Sequence, residues 1–419
     1  MSESWRRLSR AERVTTIALV VMIAGGVALR LWNVGFPTKM QFDEDHFVLN
    51  ARAYLTHGDD GNNHPPLGKL AIAVGMLAFG DDSLGWRAAS VAWGLQTIIL
   101  AAALARELFD DRRAGLFAAA FVAADGFFIA YSRSAVLDGG LACLVLWSVL
   151  AAACARSWRG VLASAVLVGL AASVKWSGGF AVVPAAVALV WRRRVPKRAL
   201  LLFGLAPIVH LGLWTAALRL TGHAADPAAL LAVMRRALQS HVDNGHLSHG
   251  VASRWWSWPI FWRPIVIKDA THGVWHHYAS CVGNPLLFLG AALTCAGVIG
   301  AAIVSLRSQL ARAFLCAFDG GSGFVRACGV LVVGWLALIA PWTGPRSYTF
   351  IYHYLPSYGF ALVLLAGVVA RLERRWPARV AYFACSVLVV AAFYAPVWAE
   401  LPISAEAAVW RLPFPLWRP

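Results

Sequence analysis

The feature that most limits the fold is a succession of apolar runs, separated by short basic clusters. Crossing about 30 Å of hydrocarbon at about 1.5 Å per residue takes roughly 20 apolar helical residues. Runs that reach or approach that length lie at 14–33, 86–107, 113–131, 138–156, 160–176, 177–191, 199–219, 283–306, 325–341, 355–371 and 378–398. With 59% of residues hydrophobic and 14% charged, the chain cannot cover its apolar area in water. The pattern predicts an all-α polytopic membrane protein of about eleven transmembrane helices. The pair 160–191 is broken by Lys175-Trp176-Ser177-Gly178-Gly179, leaving two short helices around a polar interruption.

A net charge of +16 would suit nucleic acid, but its distribution argues for a bilayer partner instead. With the N-terminus inside, segments 1–13, 106–113, 156–159, 191–198, 307–326 and 371–379 hold 21 of the 37 Lys and Arg. Such a bias in short loops sets orientation, so the reading is a cytoplasmic N-terminus in the cell inner (plasma) membrane. Residues Arg6, Arg7, Arg10 and Arg13 precede a run too long for a signal-peptide core, which reads as a retained first span. Near its end, Arg30 is expected to snorkel to the interface. The seven cysteines, including Cys316, fall mostly inside apolar runs without metal spacing and read as packing residues.

This orientation gathers unexpected charge on the outer side. The stretch Phe42 to Lys69 contains Asp43, Glu44, Asp45 and His46, a short helical pattern, then His64-Pro65-Pro66-Leu67-Gly68-Lys69. Acids beside a span are costly unless they reach water, a cavity or a cation. The segment is either a solvated acidic loop or a site. Phe47, Ala51, Tyr54 and Leu55 form one face of an amphipathic helix on the membrane surface, with Asp43 and His46 beside Phe47. Lys69, Arg133, Asp138, Lys175, Arg254, Arg263, Lys268 and Arg346 share the outer side, where cations should be few, and point to an anionic partner. Two outer segments are long: 34–85, and 220–282 with His241, His246, His249 and the tryptophans of Trp255-Trp256-Ser257-Trp258. No separate soluble domain, repeat or phosphate-loop motif interrupts 1–419.

Carboxylates facing cations suit transfer of a sugar from a lipid-linked phosphate. A carboxylate takes the proton of the attacking hydroxyl, and cations meet the charge growing on the departing phosphate. Asp43 or Glu44 supplies the base in this reading; Lys69, Arg133, Lys175, Arg263 and Arg346 are candidate phosphate ligands. Plainer readings stand beside it. Arg133 and Asp138 could pair to hold two span ends, the prolines after His64 could only set chain direction, and Tyr348, Tyr352 and Tyr354 could be interfacial belt residues.

The motifs Phe42-Asp43-Glu44-x-His46-Phe47 and His64-Pro65-Pro66-Leu67-Gly68-Lys69 resemble the first outer loop of protein O-mannosyltransferases. The similarity continues in order through Tyr131-Ser132-Arg133 with Leu137-Asp138, Lys175-Trp176-Ser177-Gly178, Trp256-Ser257-Trp258-Pro259 with Arg263-Pro264, Gly283-Asn284-Pro285, and Arg346 with Tyr352-His353-Tyr354-x-Pro356. The resemblance implies a GT-C glycosyltransferase fold with its active site on the outer face. It implies inverting transfer of mannose from polyprenyl-phosphate-mannose to Ser or Thr of secreted polypeptides, without an essential metal or other cofactor. It places the catalytic acids on Asp43 and Glu44, and sets His64, Arg133, Lys175, Arg263, Arg346 and His353 around the donor. It admits association with the secretion machinery. Asp45 stands where the family carries an apolar residue, and the large domain that eukaryotic members insert between spans is missing, which leaves the acceptor open. The alternatives are a GT-C transferase that moves another sugar, such as aminoarabinose, to a lipid or glycan, and a lipid-linked-sugar transporter. Against the transporter stand the scarcity of mid-span charge, with Asp125 the clearest exception, and the lack of an inverted repeat.

Overall fold

The structure, a computed structural model, describes residues 8–61, 64–243, 249–307, 321–344 and 348–418. Arg6, Arg7, His246, Cys316 and Arg346 lie outside them. In chain order its helices are α1 (Arg10–Leu31), α2 (Glu44–Thr56), α3 (Leu67–Phe79), α4 (Ser83–Phe109), α5 (Arg112–Ala123), α6 (Gly126–Ser132), α7 (Asp138–Cys154), α8 (Trp158–Val174), α9 (Val182–Arg192), α10 (Leu205–Leu220), α11 (Pro227–Asp243), α12 (Pro285–Arg307), α13 (Gly321–Ile339), α14 (Leu355–Arg375), α15 (Pro377–Trp398) and α16 (Ala405–Arg411). The fold is all-α apart from a hairpin of β1 (Val266–His272) and β2 (Trp275–Ser280).

Each predicted span falls on a helix, but not all are long. Among the described residues, seven helices are long and apolar enough to cross a bilayer. The pair α5 and α6, bent by 63°, makes up to eight. Three further predicted spans coincide with shorter apolar helices: α7, α8 and the segment 176–192. The polar break at 175–179 ends α8 and starts a 3-10 turn at Trp176–Ala181, which shortens both neighbours. The first outer segment holds two helices where one was expected. The second, α3, is an apolar helix of 13 residues. The described cysteines are all free.

The bend between α5 and α6 is built from charge. Asp125 caps α6, its Oδ1 accepting the Phe127 and Phe128 amides at 3.0 and 3.4 Å. Its Oδ2 accepts the Asn284 amide and the Tyr358 hydroxyl, both at 2.9 Å. The Val122 and Ala123 carbonyls at the end of α5 would otherwise be orphaned in a medium without water. Arg30 reaches them at 2.9 and 3.1 Å. The expected snorkelling of Arg30 is therefore overturned: its side chain points inward and is fully buried. Gly26 lets α1 come close enough, since a Cβ there would sit 2.1 Å from the Ala123 oxygen.

The most buried of the seven long apolar helices, α14, packs on α5, α7, α12 and α13 and forms the centre of the bundle. At the end expected to be cytoplasmic, Glu373 pairs with Arg113, Asp111 with Arg374 at 2.7 Å, and Glu107 with Arg192 and Arg194 at 2.6 and 2.8 Å. The other end carries α2, α11 and the hairpin. In the hairpin, Gly273 takes φ +59° at the turn.

Candidate active site

The start of α2 is fixed by one buried carboxylate. Glu44 accepts Arg87 Nε and one terminal nitrogen, both at 2.8 Å, along with the Ala135 amide at 2.9 Å and the Gln41 amide at 3.0 Å. Burial opposes its ionised form, yet Arg87, Lys268 and the Ala135 amide together hold the carboxyl below its ordinary value. Every acceptor site is engaged, and the side chain faces the protein. This anchorage leaves the preceding residue, Asp43, at the lip of a cavity of 680 Å³.

Asp43 is half-buried, and no group among the described residues hydrogen-bonds its carboxylate. Burial raises its pKa above the ordinary aspartate value; Lys175 opposes that rise and Asp138 adds to it. His46, Phe47 and Asn50, one to two turns along α2, line the same cavity, as the shared-face reading required. The opposite wall is Lys175, whose Nζ donates to both Asp138 oxygens at 2.8 Å and lies 4.9 Å from the centre of the Tyr352 ring.

Histidines and aromatic rings complete the walls. His64 packs 5.9 Å from Phe47 and 5.1 Å from His241, and Trp176 lies 5.7 Å from His241, measured between ring centres. Burial first, then Lys175 and the neighbouring cationic groups, push the His64 pKa well below its ordinary value, so the ring stays neutral. His353 stacks on Trp342 at 3.7 Å. Its Nδ1 accepts the Phe350 amide at 3.1 Å, which puts the proton of the neutral ring on Nε2.

The structure thus brings Asp43, His64, Lys175 and His353 onto one cavity. Among the described residues, it does not place the other candidates there. Glu44 is turned into Arg87. Lys69 is buried against Asp60, with its ammonium 5.7 Å from the Tyr54 ring. Arg133 is buried and pairs with Glu400, donating to it through Nε at 3.0 Å, and to the Leu29 and Trp32 carbonyls at 2.6 and 2.5 Å. Arg263 is half-buried and reaches the Ala252 carbonyl at 3.5 Å. Asp45 is exposed. The suggested Arg133–Asp138 pair is corrected: at the end of α6, Arg133 is aimed at α1 and Glu400, which leaves Asp138 to Lys175.

Sequence reasoning missed Arg87 and Glu400. Arg87 stands at the start of one apolar run, and Glu400 just after the last. Their signal was a charge beside an apolar run with no partner nearby in sequence. Among the described residues, no group of three His, Cys, Asp or Glu is placed to hold a metal.

Two family models match in tandem. Residues 63–220 match dolichyl-phosphate-mannose-protein mannosyltransferase, and residues 229–404 match the C-terminal four-transmembrane region of protein-O-mannosyltransferase. The chain belongs to the protein O-mannosyltransferase family. A polyprenol-phosphate-mannose–protein mannosyltransferase of Mycolicibacterium smegmatis is 26% identical, covering 98% of this chain and 94% of that one. The S. cerevisiae protein O-mannosyltransferase Pmt1-Pmt2 complex, solved with its sugar donor, shares the fold at a TM-score of 0.78 over 99% of this chain and 94% of that one, with 13% identity. A more local likeness, 33% identity over 36% of this chain and 31% of the relative, is to an undecaprenyl phosphate-alpha-4-amino-4-deoxy-L-arabinose arabinosyl transferase of Pseudomonas aeruginosa. As a protein O-mannosyltransferase family member, the chain is a multi-pass membrane glycosyltransferase with the GT-C fold.

Proposed function

We propose that the enzyme transfers mannose from polyprenyl-phosphate-mannose to Ser or Thr hydroxyls of exported polypeptides, with inversion, on the outer face of the plasma membrane. The observation that carries this reading is Asp43, a half-buried carboxylate with no hydrogen bond among the described residues, on a cavity it shares with Lys175. In the proposed step the acceptor oxygen attacks the anomeric carbon and loses its proton to Asp43. The bond from that carbon to the phosphate oxygen breaks, and the electron pair leaves with the phosphate. Lys175 has a third N–H beyond the two it gives Asp138, and His353 Nε2–H is a second donor for the departing oxygen. Side chains rather than a divalent ion offset the phosphate charge in this mechanism, so activity persists in EDTA. The outer-face placement rests on the Lys and Arg bias at the opposite end.

The test is a transfer assay with purified protein, polyprenyl-phosphate-mannose and a Ser/Thr-rich peptide, read by mass spectrometry. Hexose on hydroxyl side chains supports the proposal. The local likeness to an aminoarabinose transferase favours a second reading, lipid acceptance of another sugar. Transfer to a lipid, or use of an aminoarabinose donor with no peptide product, would replace the first reading with the second.

A further inference from the structure

A second cavity, of 510 Å³, lies at the far end of the bundle from Asp43. It opens between the end of α9, the segment Lys197–Gly204 and the start of α13, and Arg193, Lys197 and Arg326 all line it. The reversal of the chain at Arg193, where φ is +52°, parts it from the arginines on either side. Arg192 and Arg194 turn to Glu107. Arg193 faces the cavity, and neither it nor Lys197 nor Arg326 has an acidic partner among the described residues. The remaining wall is apolar, including Trp191 and Leu200, and the adjoining Leu201 is 82% exposed on the bundle surface.

Three cations without counter-charge among the described residues, beside an apolar wall at a bilayer boundary, match one class of ligand. It has a phosphate for the cations and hydrocarbon for the wall. We infer that this cavity is a binding site for an anionic glycerophospholipid of the leaflet opposite the candidate active site. The inference goes beyond the transferase reading and does not depend on it. The lipid phosphate lies among Arg193, Lys197 and Arg326, and an acyl chain runs along Leu200 toward Leu201.

The experiment follows thermal unfolding of the detergent-purified full chain during titration with phosphatidylglycerol. Phosphatidylcholine of the same acyl chains and inorganic phosphate are the comparison arms. Phosphatidylglycerol is expected to raise the unfolding temperature, and the other two are not. The R193Q/K197Q/R326Q variant should need about a hundredfold more phosphatidylglycerol for the same rise, at about fivefold per cation. The exposed single variant R326Q should need about fivefold more, which keeps the test sound if the triple variant folds poorly. The control R106Q/R112Q/R156Q, with equal charge loss at the same end, should titrate like the parent. An unchanged response in R326Q, an equal loss in the control, or an equal rise with inorganic phosphate overturns the site.

Discussion

Glu44 and Arg87 meet through two parallel bonds of 2.8 Å, with both side chains completely buried. The pair ties the first turn of α2 to the N-terminal part of α4, so the position of Asp43 depends on a charge that does not touch the cavity. Breaking such a pair from one side leaves the other charge buried and uncompensated, at roughly 3–5 kcal/mol. Glu44→Gln should therefore lower the unfolding temperature by several degrees and reduce transfer as Asp43 loses its support. The double variant E44L/R87M removes both charges and should regain much of the stability while transfer stays low. Parental stability in E44Q would remove the anchoring role.

Asp43→Asn keeps the size of the side chain but cannot accept a proton. General-base catalysis contributes typically 10²–10⁴-fold, so the turnover rate should fall about a thousandfold. Donor affinity should stay within about twofold, measured by titration with polyprenyl-phosphate-mannose. Asp45→Asn is the comparison: this neighbour is exposed, and its substitution should change the rate less than twofold. Full turnover by D43N would sink the mechanism.

The pH profile should carry Asp43's signature. Burial raises its pKa, so the acid limb of kcat/KM should lie above the ordinary aspartate range, with activity lost as pH falls through it. Lys175 favours the carboxylate and Asp138 disfavours it. Lys175→Met should move the limb to higher pH, and Asp138→Asn to lower pH. The stability sign is the reverse of the activity sign. A carboxyl whose native pKa exceeds its unfolded value contributes stability at low pH that is lost as pH rises through the native value. D43N should flatten that dependence. Limbs that stay in place in both variants would show that another group titrates.

Much of this arrangement was legible in the chain because local rules produced it. The span positions follow from apolar length, and the shared face of Asp43, His46 and Phe47 follows from helical spacing. The seating of Glu44 was not legible, because two of its hydrogen-bond partners, Arg87 and the Ala135 amide, are 43 and 91 residues away. Arg30 defeated the snorkelling rule for a similar reason. The rule assumes that the interface is the nearest polar refuge, whereas the broken end of α5 offered carbonyls inside the bundle. Neither α3 nor the β1–β2 hairpin was foreseen. The first is shorter than a bilayer crossing, and the second owes its place to Ile403, whose backbone pairs with His276 in both directions at 2.9 and 3.0 Å.

That C-terminal segment also supplies Glu400, which lies between two buried cations. It pairs with Arg133, and its Oε1 stands 3.0 Å from Lys268 Nζ. Burial lowers the Lys268 pKa to about 8, and Glu400 is the leading influence that keeps it from falling further. Glu400→Gln would leave Arg133 charged in a dry site, since a guanidinium keeps its proton in proteins, while Lys268 would tend to lose its proton. The expected outcome is a loss of several kcal/mol in unfolding free energy, read as a large drop in unfolding temperature. The loss should be smaller at pH 9 than at pH 6.5. A buried lysine with a depressed native pKa is destabilising when forced to carry charge, and raising pH through that pKa relieves it. Adding Lys268→Met to E400Q should recover part of the loss at pH 6.5 and little at pH 9. Equal losses at both pH values, with no rescue by K268M, would show that Glu400 acts through Arg133 alone.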